Sequence, residues 1–223
     1  MSNALRISYV VEGVTDYIVL DALVEQILGH SDYVPTRIQP PESEYVNHLG
    51  ALGGGWKGVL HWCSLGVYAT ALNNCDYLIV HVDADIAEES ELSELNLSAP
   101  CPPASTTSGK IRDYLVALLG GAVPPKIILC VPAQCIEAWV FVALYPSEVE
   151  RFTPIDCRRE VESLFIGKPE KLVVKKDGRA RKQTAEYSKV SPRIGANLAM
   201  LTAHCAEALR FESEVRRVFS LSI

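Results

Sequence analysis

Short, almost wholly apolar segments alternate with amphipathic ones along most of the chain. Three of the apolar segments are rich in β-branched residues: LRISYVV (5–11), YLIVHV (77–82) and KIILCV (126–131). An apolar run of this length is typical of a strand that is buried on both faces, as in a parallel sheet. These segments therefore predict three buried parallel strands, and a weaker strand is expected after residue 35.

The segments between the strands predict helices, because their apolar residues recur at helical spacing. The first helix follows a Glu12-Gly13 turn, with Thr15 as its expected N-cap and Gly29 as its expected end. Further helices are expected at 58–73, from Ser108 to Gly120 and from Cys135 to Leu144. Strands that alternate with helices predict an α/β fold, with a mainly parallel, Rossmann-like sheet and helices on both faces.

The C-terminal part of the chain has no comparable strand pattern. It favours helices at 158–165, 194–209 and 211–220, around a basic and poorly patterned segment at 168–193. We therefore expect two parts, an α/β core over residues 1–145 and a mainly helical, basic extension over residues 146–223 that packs on this core.

The composition is that of an ordinary globular protein, with 223 residues of which 48% are hydrophobic and 22% charged. No apolar stretch approaches the roughly 18 residues that a membrane span requires, and the N-terminus lacks the pattern of a secretory signal. The seven cysteines include no CxxC pair, which argues against a structural zinc site. We expect a cytoplasmic protein with no membrane partner, in which Cys63, Cys75, Cys130 and Cys205 are free thiols in apolar surroundings.

Acidic residues follow each of the three predicted buried strands. Glu12 ends the first strand, Asp83 and Asp85 end the second, and Glu137 follows the third after a short turn. In an open parallel sheet, ligands bind outside the carboxyl ends of the strands. We therefore expect these four carboxylates to converge at one edge of the sheet, with Asp16 close enough to join them.

Such a cluster predicts a metal site, because neighbouring carboxylates repel one another and raise each other's pKa unless a cation neutralises them. Oxygen ligands suit Mg²⁺ or Mn²⁺. On an extended backbone, Asp83 and Asp85 place both side chains on one face, where they can bind one ion or two neighbouring ions. Two ions roughly 3.5–4 Å apart stabilise the attacking and leaving oxygens in phosphodiester cleavage.

Each of these residues also has a simpler interpretation. Glu12 can be an ordinary loop carboxylate, and Asp83 and Asp85 can cap the turn after their strand. Glu137 can partner a buried cation, and Asp16 can interact with the helix dipole alone. Lys110, in a predicted helix, is equally consistent with a solvated lysine and with a supporting contact to phosphate. The histidines show no paired ligand spacing, so none is assigned a catalytic role.

The net charge of −6 is unevenly distributed along the chain. Residues 1–145 carry six Lys or Arg and sixteen Asp or Glu, whereas residues 146–223 carry fifteen and eleven. Seven basic and two acidic residues lie between positions 168 and 182. This segment is either a solvated loop or a surface that follows a phosphate backbone. In the second case we expect it beside the acidic edge, with nucleic acid bound by Lys175, Lys176, Arg179 and Arg181.

Three motifs resemble a known family. VVEGVTD (10–16) and DYLIVHVDAD (76–85) resemble the TOPRIM domain, and PAQCIEAWV (132–140) is similar to the small standalone TOPRIM-like relatives of OLD-family nucleases. The resemblance covers about residues 5–145. It implies a TOPRIM-like fold and a nucleic-acid enzyme that depends on Mg²⁺.

The resemblance also implies that Glu12, Asp83 and Asp85 bind the metal and act in catalysis, with Glu137 as a further ligand. It favours a nuclease, since the chain has no room for the tyrosine-bearing domain of topoisomerases or the extra modules of primases. OLD-type nucleases work with an ATPase part, yet GGGWKG (53–58) departs from the Walker pattern. The resemblance therefore implies a separate ATPase partner and, by analogy alone, a place in phage defence.

Two other functions remain open on the sequence. The Asp-x-Asp motif also occurs at strand ends in GT-A glycosyltransferases, where it holds Mn²⁺ and a nucleotide sugar, but VVEGVTD is then unexplained. The chain can also be a non-catalytic binding subunit. Loss of DNA that requires magnesium or manganese, binding of UDP-sugars, or neither would separate the three functions. DNA is expected ahead of RNA as the substrate.

Overall fold

Four parallel strands form the central sheet of the computed structural model, which describes residues 4–41 and 53–220. The strands are β1 (Leu5–Val10), β2 (Tyr33–Gln39), β3 (Tyr77–His81) and β4 (Ile127–Cys130). Their order is β2-β1-β3-β4, and every neighbouring pair is parallel. The predicted α/β class with a parallel sheet is confirmed. Because the chain moves outward from β1 to β2 and in the opposite direction from β3 to β4, a topological switch point lies between β1 and β3.

Helices cover both faces of this sheet. They are α1 (Val14–Leu28), α2 (Gly55–Ser64), α3 (Tyr68–Asn74), α4 (Ser105–Leu118), α5 (Ile136–Leu144), α6 (Thr184–Ala196), α7 (Leu198–His204) and α8 (Ala206–Val218). One apolar cluster joins Tyr9 to α1, α5 and the C-terminal helices, and a second joins Val10 to α2 and α4. Tyr9 and Val10 point to opposite faces because side chains alternate along a strand.

Burial on both faces explains the apolar runs in the sequence. Leu78 and Val80 pack in one cluster and Ile79 in the other, and all three are fully buried. The edge strand β2 lacks this pattern because it is largely exposed and contains Pro35, a residue that strands accept mainly at sheet edges.

Several helix boundaries differ from the sequence expectation. Helix α4 begins at Ser105 and not at Ser108, and the helix expected at 194–209 is divided among α6, α7 and α8. Helix α1 begins at Val14 with Gly13 as its N-cap, so the prediction of Thr15 as the cap is wrong. Its end at Gly29, which has a φ of 73°, is confirmed. The single helix expected at 58–73 is two helices, α2 and α3.

The C-terminal extension packs on the α/β core and shares its apolar cluster. Tyr187, Ile194 and Phe211 of the extension are buried together with residues of α1 and α5. The segment expected to be helical at 158–165 contains only a short 3₁₀ turn, Val161–Phe165. The basic segment contains an antiparallel hairpin, so the expectation of no further strand is wrong. Its strands are β5 (Val173–Lys176) and β6 (Arg179–Lys182).

One disulfide was not foreseen. Cys101, before α4, pairs with Cys157 of the extension across 56 residues, with their Cα atoms 5.5 Å apart. The pairing ties the extension covalently to the core. Disulfides are rare in the reducing cytosol, so this bond and the cytoplasmic expectation point to different compartments. The sequence predicts that Cys63, Cys75, Cys130 and Cys205 are free thiols, and all four are free and buried.

Among the described residues, no helix is both long and apolar enough to cross a membrane.

Close packing between α1 and α6 predicts an unusual effect of one glycine substitution. A Cβ atom at Gly195 would lie 2.8 Å from the carbonyl oxygen of Ala22. We expect Gly195→Ala to destabilise the protein by about 1–3 kcal/mol, because the two helices must move apart. Gly109→Ala in α4 is the matched control, since its Cβ would have 3.8 Å to the nearest atom of Arg112. The control is expected to gain about 0.5–1 kcal/mol. Urea unfolding measures both, and equal stability of the two variants would contradict the packing argument.

Candidate active site at the carboxyl edge of the sheet

The ends of β1 and β3 are joined by a hydrogen bond through a carboxylate. Glu12 follows β1, and its Oε1 accepts from the backbone N–H of Asp83, which follows β3, at 2.7 Å. The carbonyl oxygen of Glu12 accepts from Gly55 N–H at 2.9 Å, at the start of α2. These contacts hold the half-buried Glu12 carboxylate in the crevice at the switch point.

Asp83 connects this crevice to helix α5. Its Oδ1 accepts from the backbone N–H of Ile136 at 2.9 Å, in the first turn of α5. Asp83 therefore does act as a cap, although the helix that it caps is α5 and not the turn that follows its own strand. The same oxygen lies 3.3 Å from Nε2 of His81. The hydrogen bond from Ile136 brings the start of α5, including Glu137, beside the crevice.

Glu137 is fully buried and is paired with a cation. Its Oε1 lies 2.7 Å from Nζ of Lys182 and accepts from the Tyr187 hydroxyl at 3.2 Å. Its Oε2 has no hydrogen-bond partner within the described part of the chain. Burial raises the pKa of Glu137 to about 7, with Lys182 opposing the shift and the charge of Asp83 adding to it. Glu137 therefore partners a buried cation, as its simpler interpretation predicts, and its role as a further metal ligand stays a prediction.

Lys182 is a site residue that the sequence pattern did not reveal. It ends β6, and its Nζ contacts Glu162 at 3.2 Å as well as Glu137. Burial lowers the pKa of Lys182, but Glu137, Asp16 and Asp83 outweigh this effect, so its pKa lies well above the usual range. The lysine is therefore charged. Only its place in the hairpin distinguishes it from the six other basic residues of its segment.

Asp16 and His81 are buried next to Asp83, below the surface of the crevice. Asp16 is buried, and its Oδ2 accepts from Gly13 N–H at 2.7 Å. Burial raises the pKa of Asp16, while His81 and Lys182 oppose the shift. Burial lowers the pKa of His81, but the neighbouring Asp83 carboxylate, together with Asp16, raises it above the usual value. The sequence assigns no role to a histidine, yet His81 lies beside the Asp83 carboxylate and adds to the positive charge near Asp16.

Asp85 and Glu12 form the less neutralised side of the cluster. Asp85 is exposed, and its pKa is raised to about 7 by partial desolvation and by the charge of Asp83, while Lys182 opposes the shift. Water screens these effects at an exposed side chain. The pKa of Glu12 is raised well above its usual range by burial and then by Asp83 and Asp16. Within the described residues, neither Glu12 nor Asp85 has an ion pair like that of Glu137, so both would ionise fully only when a cation is bound.

A groove of about 590 Å³ opens beside Asp85. Asp85, Glu160 and Glu162 line it together with Lys175 and Ala180 of the hairpin. The basic segment therefore does lie next to the acidic edge. The groove itself contains more acidic than basic side chains, so a phosphate that enters it meets net negative charge unless a cation is bound there.

The two faces of the hairpin have different surroundings. Residues that pair across the strands, such as Lys175 with Ala180 and Lys176 with Arg179, point to the same side of the ribbon. Alternation along the strands then places Lys175 and Lys182 on the face toward the site. Lys176, Arg179 and Arg181 lie on the opposite face. Of the four basic residues predicted to bind nucleic acid, one is beside the site and three point away from it.

Lys110 lies in α4, and its contacts are with the loop before that helix and not with the carboxylates of the crevice. Its Nζ donates to the carbonyl oxygens of Asn96 at 3.0 Å and Ser98 at 3.2 Å. These bonds hold the loop before α4. The structure does not bring Lys110 into contact with the carboxylates, so a phosphate contact by Lys110 stays a prediction.

The chemistry of these carboxylates fits a hard divalent cation, although no ready-made cage is present. Among the described residues, no group of three ligating side chains is arranged to hold a metal ion. Mg²⁺ usually takes only one or two carboxylates and completes its shell with water and phosphate oxygens. Glu12, Asp83 and Asp85 bring three carboxylates to one crevice, which is enough for such a partly hydrated ion.

The fold and the site together define an α/β protein with a carboxylate-rich crevice at the switch point of a parallel sheet. Comparison with protein-family models, with curated proteins and with solved structures found no match to the chain.

Proposed function

We propose that the protein is a metal-dependent nuclease of the TOPRIM type, which cleaves phosphodiester bonds in nucleic acid, with DNA ahead of RNA as its substrate. The observation that carries this proposal is the hydrogen bond between Asp83 N–H and Glu12, which joins the acidic ends of β1 and β3. The Glu-Gly and Asp-x-Asp motifs of the TOPRIM resemblance thus belong to one crevice. An ATPase partner and a role in phage defence are parts of the same proposal and rest on that resemblance.

Glu12, Asp83 and Asp85 would bind Mg²⁺ or Mn²⁺ in this proposal. When bound, the ion lowers the pKa of a coordinated water and neutralises charge on the phosphate. Asp83 also holds the start of α5 through Ile136, which keeps Glu137 beside the crevice. The protein's own contribution is therefore to keep the carboxylates close together in spite of their repulsion.

Lys182 would act as a fixed positive charge next to the reacting phosphate. It is held by Glu137 and Glu162, so its position is determined before substrate arrives. A preorganised cation that faces developing negative charge stabilises a transition state more than a mobile one does. Because Lys182 compensates Glu137, the carboxylates on the Glu12 side remain available to a metal ion.

The contact between Glu12 and Asp83 also bears on the rival functions. A GT-A-like transferase needs only Asp83 and Asp85 for its metal, and it gives no reason for Glu12 to share their crevice. A non-catalytic subunit is consistent with these contacts, and the test below separates it from the nuclease. The nuclease accounts for all three residues at once.

The test is cleavage by the purified chain. Supercoiled plasmid is incubated with the protein and Mg²⁺, Mn²⁺ or a chelator, and parallel reactions contain RNA or a UDP-sugar. We expect plasmid nicking or linearisation with Mg²⁺ or Mn²⁺ and none with the chelator. Hydrolysis of UDP-sugar without loss of plasmid would favour the transferase. Absence of both activities, together with absence of Mn²⁺ binding in calorimetry, would favour a binding subunit.

A further inference from the structure

Three basic residues on the outward face of the hairpin have no carboxylate partner. Within the described residues, Lys176, Arg179 and Arg181 form no ion pair, and all three are exposed. Most other basic residues of the extension do pair with carboxylates. The pairs are Arg159–Glu88, Lys168–Glu148, Lys182–Glu137, Lys189–Glu186, Arg193–Glu170, Arg210–Glu214, Arg216–Glu212 and Arg217–Glu214. The outward face therefore concentrates charge that the fold does not use.

The hairpin holds these cations at an electrostatic cost. Lys176 and Arg179 are directly opposite each other in the strand register, and like charges in such a pair are destabilising. Arg181 lies two residues further along β6, on the same face, at about 6.6 Å for the rise of a strand. A bound polyanion relieves this repulsion.

The turn makes the surface rigid before any ligand binds. Asp177 and Gly178 have φ values of 52° and 76°, and Asp-Gly with two positive φ angles is the sequence preferred for the tightest hairpin turn. A ligand therefore meets three cations carried on an ordered backbone and orders little of that backbone when it binds.

The chemistry of the face indicates what it binds. The segment from residue 168 to 183 contains no aromatic residue, so it offers no platform on which unpaired bases can stack. Lysine and arginine side chains alone bind the phosphate backbone without reading sequence. This combination fits a double-stranded nucleic acid, whose bases are already stacked inside the helix.

We propose that the outward face of the hairpin, formed by Lys176, Arg179 and Arg181, is an anchoring surface for the backbone of duplex nucleic acid, separate from the reacting phosphate. The proposal rests on the proposed function in taking nucleic acid as the substrate. Lys175 and Lys182 on the inward face belong to the site, so the two faces of the hairpin contact different parts of the nucleic acid. The outward face holds flanking duplex, and its removal should weaken binding and raise KM, with little change in kcat.

Binding measured without metal tests this surface apart from any cleavage. The full chain and the variant Lys176→Gln/Arg179→Gln/Arg181→Gln are titrated into a short, labelled, blunt DNA duplex in the presence of a chelator, over a series of salt concentrations. The slope of log K against log salt should become shallower by about 0.9 for each phosphate that is no longer neutralised, up to about 2.7 for three. The matched control is Lys189→Gln/Arg216→Gln/Arg217→Gln, which removes the same charge from ion-paired positions on α6 and α8. The control should keep a slope close to that of the unmodified protein.

Each outcome decides the proposal. An unchanged slope in the outward-face variant would overturn it, and so would an equally shallow slope in the control, which would indicate general electrostatics. Tighter binding of a single strand of the same sequence would overturn the assignment to duplex. If the slopes change as expected but the unmodified protein does not cleave plasmid, the surface stands and the nuclease proposal fails. If plasmid is cleaved and the slope is unchanged, the nuclease proposal stands and the surface is wrong.

Discussion

Lys182→Met is expected to destabilise the protein by about 3 kcal/mol, because it leaves the buried carboxylate of Glu137 without its cation. Glu137 is fully buried and contacts Lys182 at 2.7 Å. The Tyr187 hydroxyl is the other partner of that oxygen and cannot replace a charge. Lys182 itself has a side chain that is 29% exposed, so the cost should lie at the lower end of the range for buried ion pairs. Burial and the charge of Asp83 already raise the pKa of Glu137 to about 7 with Lys182 present, and loss of the lysine raises it further. Urea unfolding at a series of pH values above 7 measures the destabilisation, which should grow as the pH rises and Glu137 ionises.

Two further variants separate the buried pair from a general effect of removing charge. Lys182→Met/Glu137→Gln removes both charges and should recover most of the stability, since an uncharged amide is far less costly to bury than a carboxylate. Lys189→Met breaks an exposed pair with Glu186 and should cost less than about 1 kcal/mol. If Lys182→Met were no less stable than Lys189→Met, the buried pair would not hold the hairpin against α5.

Asp85→Asn is expected to reduce metal-dependent cleavage by more than about 100-fold, since even residues that only support a metal ligand cost 10–100-fold when they are replaced. Asp85 is exposed, and its side chain forms no hydrogen bond within the described residues. Removing one of several repelling charges should leave the melting temperature unchanged or slightly raised. Initial rates of plasmid nicking and calorimetric titration with Mn²⁺ are the measurements.

Glu89→Gln is the matched control for this variant. Glu89 is an exposed carboxylate that lines the neighbouring groove with Asp85, so the substitution removes the same charge a short distance away. It should retain cleavage close to that of the unmodified protein. Comparable reductions in the two variants would show that Asp85 acts only through its contribution to the overall negative charge of the groove. That result would contradict its assignment as a metal ligand.

Asp83 is a less suitable position for this test, although the sequence favours it equally. Its Oδ1 holds the Ile136 N–H at the start of α5, and loss of a helix cap costs about 1 kcal/mol. An effect of Asp83→Ala on activity would therefore combine chemistry with a displaced helix. Two aspartates that look alike in the motif differ in this way because one is buried under α5 and the other faces the groove.

The sheet was predictable because its requirements are local. A parallel strand buried on both faces needs consecutive apolar residues, and β1, β3 and β4 meet that need with residues such as Ile79 and Ile128. The acidic ends of the strands were visible for the same reason, since each carboxylate directly follows an apolar run or a short turn. The sequence does not predict the hairpin, because β5 and β6 pair only with each other and are mostly exposed. No apolar run therefore marks these two strands.

By itself, the sequence determined the α/β class of this protein, the parallel strands and the acidic residues at their ends. Only the tertiary structure decided that Glu12 accepts a hydrogen bond from Asp83, that Lys182 is the cation beside Glu137, and that the basic segment presents two different faces. The first group follows from side-chain patterns within single segments, where burial selects residue types position by position. The second depends on strand register and on packing between segments far apart in the chain, which residue types alone leave undetermined.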